Sequence, residues 1–112
     1  MRIDEKTGSS PTDRIAIAEL FNLYADALDA KHWNRLEAFF SEDATADFPV
    51  EQFCGNRTEI IEFIKSALAT EEIVTHHMFG NFSVTVGEES AQASVHMRAY
   101  HGGVGVREGL FE

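Results

Sequence analysis

A β-rich stretch near the end of the chain decides the fold class: Val74-Thr-His-His-Met-Phe-Gly-Asn-Phe-Ser-Val-Thr-Val86, Gly87-Glu-Glu-Ser90 and Ala91-Gln-Ala-Ser-Val-His-Met-Arg-Ala-Tyr-His101. Apolar residues alternate with polar ones in the first and last of these segments, a pattern typical of strands. The glycine and two glutamates between them are a turn signal. The stretch therefore predicts a long antiparallel hairpin.

Upstream of this hairpin, apolar residues recur mainly at helical spacing. The predicted elements are a helix from Thr12 or Asp13 to about Lys31, a short helix over 33–40, a strand over 44–50 and a helix over 57–69. Helices that precede a hairpin in this way group on one side of a curled antiparallel sheet. The predicted fold class is α+β.

The alternation also indicates which hairpin side chains face inward. In the second strand, an apolar face ends at His101. In the first strand, strict alternation places His76 on the face of Phe82, whereas a β-bulge at Gly80-Asn81 would place His77 there instead. Glycine followed by asparagine is compatible with such a bulge.

The first helix carries an aspartate, Asp29, at the edge of its apolar arc, while Asp26 points to solvent. The arc consists of Ile17, Leu20, Phe21, Tyr24, Ala25 and Leu28. With the bulge in place, Asp29, His77 and His101 face one pocket, where the aspartate can orient one imidazole as a general base and the other can assist a leaving group. The simpler alternative is a pair of hydrogen-bonded core histidines and an aspartate that pairs with a neighbour.

The other polar candidates carry weaker signals. His76 and His77 are adjacent on a strand and point to opposite faces, so no metal site is predicted there. Cys54 has no base near it in sequence, and a small buried hydrophobe is its expected role. Tyr24 is expected to pack through its ring, with a hydroxyl that can polarise a substrate oxygen, and Arg98 is expected at the surface.

Composition restricts the class of protein. The 112 residues include 9 Lys and Arg against 19 Asp and Glu, for a formal net charge of −10. This acidity argues against nucleic acid or an anionic membrane as a partner. A single cysteine leaves no internal disulfide. Without an apolar run long enough for a membrane span or a signal peptide, the expected location is the cytoplasm.

Two motifs carry a resemblance to a known family: Leu23-Tyr-Ala-Asp-Ala-Leu-Asp-Ala-Lys-His-Trp-Asn-Arg-Leu-Glu-Ala-Phe-Phe-Ser-Glu-Asp43, followed by Gly55 before a helix, and Thr75-His-His-Met-Phe-Gly-Asn81. From about residue 12 to 101 the chain resembles the SnoaL-like group of the nuclear transport factor 2-like superfamily. That group includes scytalone dehydratase, bile acid 7α-dehydratase, hexachlorocyclohexane dehydrochlorinase and polyketide cyclases.

The resemblance implies a cone-shaped curved antiparallel sheet packed on three N-terminal helices, with the closing strands missing or short in this chain. It implies catalytic roles for Asp29, His77, His101 and Tyr24. Leu28 stands where scytalone dehydratase has a tyrosine, so that polarising group is absent. The side chains expected to bind substrate are Phe48, Phe53, Phe79, Phe82 and Met97.

The function expected from these features is that of a cofactor-independent lyase or isomerase, resembling the dehydratases, that removes a proton next to the carbonyl of an apolar cyclic substrate. The alternative is a non-catalytic ligand-binding or assembly module of the same fold, similar to the small subunits of ring-hydroxylating dioxygenases. Neither a metal nor another cofactor is expected. A homodimer or homotrimer is expected, because a short sheet leaves edges and an apolar face to cover.

The expected domain layout is a flexible lead-in over 1–11 and a single SnoaL-like domain over 12–112. Family members continue for further strands, so the sheet is expected to lose its closing strands after His101. The expectation is therefore a truncated or partly ordered form of a longer protein, or a short variant completed by a neighbouring subunit.

Overall fold

A computed structural model of the protein describes residues 11–49, 51–69, 73–103 and 109–111. The elements in chain order are α1 (Pro11–Asp29), a 3₁₀ helix (Trp33–Phe39), β1 (Thr45–Phe48), β2 (Phe53–Asn56), α2 (Arg57–Leu68), β3 (Ile73–Val86), β4 (Ala91–Gly103) and β5 (Gly109–Phe111). The strands form an antiparallel β1-β2 sheet and an antiparallel β3-β4-β5 sheet. Helices packed against open antiparallel sheets confirm the predicted α+β class.

The end of α1 is fixed by a Schellman motif. The Lys31 amide donates to the Leu28 carbonyl at 3.1 Å, and the His32 amide donates to the Ala27 carbonyl at 2.9 Å. Lys31 adopts the left-handed conformation, with φ 58°, in the place where glycine is commonest. The helix therefore stops at Asp29, two residues before the predicted end, and that aspartate lies beside the first long strand.

A short hairpin, β1-β2, replaces the single strand predicted over 44–50. Phe53–Asn56 was not predicted as a strand because Gly55-Asn56 reads as a turn. Glycine is required at position 55 because a Cβ there would come within 2.6 Å of the Phe53 ring. Asn56 then begins α2 through a capping box with Glu59.

The long hairpin contains a β-bulge after Gly80, and this decides between the two registers that the sequence left open. Gly80 pairs with His96 and Ser83 pairs with Ser94, so two residues of β3 oppose one residue of β4 between these pairs. Asn81 adopts φ 53°, a left-handed conformation that asparagine tolerates. Side chains that face inward therefore have odd numbers up to the bulge and even numbers after it.

The hydrophobic core lies between α1, the 3₁₀ helix and α2. Its buried members are Ala27, Leu28, Leu36, Ile60, Ile64 and Leu68. Of the predicted apolar arc of α1, Ala25 and Leu28 are buried, whereas Leu20 is 53% exposed. Leu20 is exposed because it stands at the wall of an open cavity, as shown below.

Three sequence expectations fall at the limits of the described residues. The lead-in expected over 1–11 lies outside them except for Pro11, at which α1 begins. Val50, the expected end of the first strand, also lies outside them. After His101 the sheet gains a short third strand, β5, in which Gly109 pairs with His101 and Phe111 pairs with Ala99.

Candidate active site

Asp29, the last residue of α1, forms hydrogen bonds to two residues of β3. Its Oδ1 accepts from the Thr75 hydroxyl at 3.0 Å and lies 2.7 Å from His77 Nδ1. The backbone amide of His77 donates to Oδ2 at 2.9 Å and to Oδ1 at 3.2 Å. These partners are 46 and 48 residues away in sequence, so the aspartate neither caps its helix nor pairs with a neighbour.

The two inward histidines lie side by side on the long hairpin. The His77 side chain is 8% exposed, and its ring centroid lies 5.8 Å from that of His101 on β4. Burial, and then the nearby His77, lower the pKa of His101, while Asp29 opposes this shift. His101 therefore favours its neutral form, in which one ring nitrogen donates and the other accepts.

Tyr24 lies one and a half turns before Asp29 on α1. Its ring packs edge-on against Phe39 and Phe40, with centroids 5.7 and 6.1 Å away, and lies 6.1 Å from Phe79. Burial raises the pKa of Tyr24 to about 12, so the hydroxyl keeps its proton at neutral pH. A protonated hydroxyl in this position can serve as a hydrogen-bond donor.

An apolar cavity of about 420 Å³ opens beside Tyr24. It is formed by α1, the 3₁₀ helix with the residue that follows it, and β1, and Tyr24 supplies the one hydroxyl of its lining. The lining residues are Leu20, Phe21, Tyr24, Ala38, Phe39, Phe40, Ala46 and Phe48. Its volume falls within the range typical of small-molecule sites. Neither His77 nor His101 lines it, and the lining meets the histidine strand where the ring of Tyr24 lies 6.1 Å from that of Phe79 on β3.

The side chains expected to bind substrate are found in three places. Phe48 lines the cavity. Phe79 and Phe82 pack on Phe21, a lining residue, with ring centroids 5.4 and 5.7 Å away. Met97 lies opposite Phe79 in the register. Phe53 lies behind the lining, where its ring stacks on Phe63 of α2 at 4.4 Å and on the lining residue Phe48 at 5.8 Å.

The weaker polar candidates lie at the surface. His76 and Arg98 are on the exposed outward face of the hairpin. The expectation of a buried Cys54 is wrong, because its thiol is exposed on β2 and donates to Asp47 at 3.4 Å. That hydrogen bond and the Asp47 charge raise the pKa of the thiol.

Two kinds of feature are absent from the described ranges. Over residues 11–49, 51–69, 73–103 and 109–111, no group of three His, Cys, Asp or Glu side chains is arranged to hold a metal ion. Over the same ranges, no helix has the length and apolar character needed to cross a membrane.

Sequence reasoning missed Thr75 and most of the cavity lining. Thr75 is 5% exposed. It lies two residues before His77 on the same strand and therefore on the same face, and this alternation was the signal that could have identified it. Phe39 and Phe40 line the cavity from the end of the 3₁₀ helix and just beyond it. No local pattern indicated them, because the cavity arises only where three separate segments meet.

Comparisons with known proteins agree with this fold. The SnoaL-like domain matches residues 9–110. Uncharacterized proteins of Mycobacterium tuberculosis and Mycobacterium bovis are 29% identical to the chain over 85 residues, which cover 75% of this chain. The aligned part spans 57% of the length of these curated relatives.

A similar solved structure comes from Novosphingobium aromaticivorans, a crystal structure under the provisional name of scytalone dehydratase. It superposes with a TM-score of 0.77 at 23% identity, covering 88% of this chain and 67% of the other. At this level of identity the likeness shows the fold. Because the family match spans almost all of the described residues, the chain belongs to the SnoaL-like family.

Proposed function

We propose that this protein is a cofactor-independent dehydratase or isomerase that removes a proton next to the carbonyl of an apolar cyclic substrate. One observation carries the proposal: Asp29 lies 2.7 Å from Nδ1 of a buried histidine, His77, with a second imidazole beside it. The SnoaL-like family and the fold of the structure provisionally named scytalone dehydratase support the reaction class.

His77 is the proposed general base. A carboxylate that accepts from Nδ1–H fixes the neutral ring with its lone pair on Nε2. This nitrogen takes the proton from the carbon next to the carbonyl, and the electron pair of the C–H bond moves toward the carbonyl oxygen as an enolate. Asp29 then stabilises the imidazolium that has formed.

His101 is the proposed partner for the second half of the reaction. Because its pKa is lowered, it acts as a neutral hydrogen-bond donor to the leaving hydroxyl or to the enolate oxygen. In a dehydration, the enolate collapses to a C=C bond, the C–O bond breaks, and the proton held by His77 leaves with the hydroxyl as water. In an isomerisation, the same proton returns to a different carbon.

The cavity is the proposed site for the apolar body of the substrate. Its lining offers aromatic and aliphatic contacts and the Tyr24 hydroxyl. Tyr24 precedes Asp29 by five residues, which corresponds to about 7.5 Å along a helix. A substrate that bridges the two places would occupy the cavity with its rings and reach past Tyr24 with its carbonyl end.

A binding or assembly module is the second candidate. It is favoured by the absence of both histidines from the cavity lining, since a ligand could bind there without contacting them.

We also propose self-association as a homodimer or homotrimer through the outward face of the hairpin. Its exposed apolar side chains include Val74 at 63%, Met78 at 47% and Tyr100 at 38%. Light scattering that shows a monomer at micromolar concentration would contradict the assembly proposal.

Exchange of carbon-bound protons for deuterium tests the enzymatic proposal directly. Cyclohexanone, β-tetralone and a steroid ketone would each be incubated with the protein in D₂O, and the protons next to the carbonyl followed by proton NMR. We expect exchange faster than in buffer for at least one ketone. We expect His77→Ala to reduce that rate about 100- to 10,000-fold, the range for loss of a general base.

His76→Ala is the matched control, because it removes the neighbouring imidazole from the opposite, exposed face. This variant should exchange protons at the native rate. Equal losses in the two variants would contradict the assignment of His77 as the base. If none of the three ketones exchanges faster than in buffer, the enzymatic proposal fails and the binding module is favoured.

A further inference from the structure

We infer that Thr75 is a positioning residue: its hydroxyl fixes the Asp29 carboxylate so that the carboxylate can orient His77. This inference rests on the proposed function for its catalytic consequence, whereas its geometry does not depend on a substrate. Among the residues that the structure describes, Thr75 is the polar residue that is buried, with 5% exposure. Its hydroxyl donates to Asp29 Oδ1 at 3.0 Å.

Asp29 needs donors from outside its own helix. It is the last residue of α1, where the helix dipole is negative and disfavours a carboxylate. The last turn of α1 contains no basic residue that could compensate. The carboxylate is instead held from β3, by the Thr75 hydroxyl and by the amide and the ring of His77.

The two oxygens of Asp29 are held differently. Oδ2 accepts from the His77 amide at 2.9 Å, and because the donor is backbone, substitutions of the Thr75 or His77 side chain leave this donor in place. Oδ1 lies close to the Thr75 hydroxyl and to His77 Nδ1, and the same amide reaches it at 3.2 Å. The Thr75 hydroxyl occupies one side of Oδ1 at 3.0 Å, which leaves His77 Nδ1, at 2.7 Å, fewer directions of approach. The hydroxyl therefore restricts the orientation of the ring.

Thr75 is well placed to hold this geometry. It stands two residues before His77 on the inward face of β3 and directly opposite His101 in the register. A β-branched side chain in a strand has few χ1 choices, so the hydroxyl is fixed without further partners. Its burial leaves little access for a water molecule that could replace the hydroxyl.

Thr75→Val and Thr75→Ser separate the hydroxyl from the methyl group. Valine keeps the shape and the β-branch but removes the donor, whereas serine keeps the donor and removes the methyl group. The first readout is nitrogen-15 NMR of the histidine rings, with the His77 signals identified by their loss in His77→Gln. We expect the native ring to carry its proton on Nδ1, Thr75→Val to show mixed tautomers, and Thr75→Ser to resemble the native protein.

The second readout is deuterium exchange of the ketone that the native protein turns over fastest. We expect Thr75→Val to lower kcat about 10- to 100-fold with KM within about twofold, the loss typical when a hydrogen-bond partner that orients a metal-binding histidine is removed. Thr75→Ser should restore most of kcat. An equal loss in both variants would identify a packing role and overturn the inference, as would a Thr75→Val protein with native tautomer and native kcat.

The two readouts distinguish failure of the proposed function from failure of the positioning role. If the native protein exchanges no ketone but Thr75→Val still shifts the His77 tautomer, the proposed function is wrong and the positioning role stands. If the native protein is active and Thr75→Val changes neither tautomer nor kcat, the positioning role is wrong and the proposed function stands.

Discussion

The two faces of the β3-β4 hairpin carry similar residue types in opposite environments. The inward face holds Thr75 at 5% exposure and the His77 side chain at 8%, both hydrogen-bonded to Asp29. The outward face holds exposed His76 beside Val74, which is 63% exposed. Adjacent histidines of one strand therefore have different chemistry available to them. The difference shows that strand parity, rather than residue type, decides which imidazole meets a carboxylate.

The bulge at Gly80-Asn81 sets that parity. Without it, the face that carries Phe82 would continue to His76, and His77 would point to solvent. With it, Phe79 and Phe82 both contact Phe21 on α1. One extra residue in β3 thus determines the composition of both faces.

Deletion of Asn81 should produce the largest effect, because it removes the extra residue of the bulge. Without that residue, the inward side chains before and after the bulge can no longer share one face of β3. We expect the free energy of unfolding to fall by about 3 kcal/mol or more, measured by urea denaturation followed by circular dichroism. Asn81→Gly is the control, since glycine adopts the positive φ freely and should change stability by less than about 1 kcal/mol. A deletion variant as stable as Asn81→Gly would show that the bulge does not fix the register.

Truncation of neighbouring side chains should give the next largest contrast. Phe79→Ala removes the ring that contacts Phe21 and Tyr24, and we expect a loss of about 2 to 3 kcal/mol in the free energy of unfolding. Met78→Ala removes a side chain that is 47% exposed on the other face, and should cost less than about 1 kcal/mol. Similar losses in both variants would contradict the assignment of the two faces.

Titration of His101 should have the smallest effect on the free energy of unfolding. Its pKa in the folded protein lies below the ordinary value of 6.5, so the unfolded chain binds more protons in the interval between the two values. The free energy of unfolding should therefore rise with pH through this interval and level off above 6.5. Denaturation at several pH values should show a smaller rise in His101→Gln than in the native protein. An identical rise in His101→Gln and the native protein would be incompatible with a lowered pKa.

Periodicity predicted most of the fold because its elements are locally consistent. The helices around Leu28 and Ile64, and the long hairpin, follow their apolar spacing. The strand Phe53–Asn56 was missed because Gly55 makes room for an aromatic ring, and the sequence does not show that contact. Glycine therefore indicated a turn where the fold uses its small size within a strand.

The candidate site was only partly predictable. The inward position of His77, beside Asp29 and His101, depends on the bulge, which the sequence left open between two registers. The Asp29 contacts with Thr75 and His77 require residues about 46 positions apart to meet, which no local pattern encodes. The same reason hid the cavity lining, since Phe39 and Phe40 face Tyr24 only after the helices pack.

The hydrogen bond from the His77 amide to Asp29 joins two elements that are far apart in sequence. Hydrogen exchange of this amide can therefore be used to follow their separation. An amide that donates to a carboxylate on another element exchanges its hydrogen with solvent only when those elements separate. The site cannot assemble within α1 or within the hairpin alone, so it forms after a loop of 48 residues has closed. The hydrogen-exchange rate of this one backbone amide thus reports how often the Asp29–His77 contact opens in the native protein.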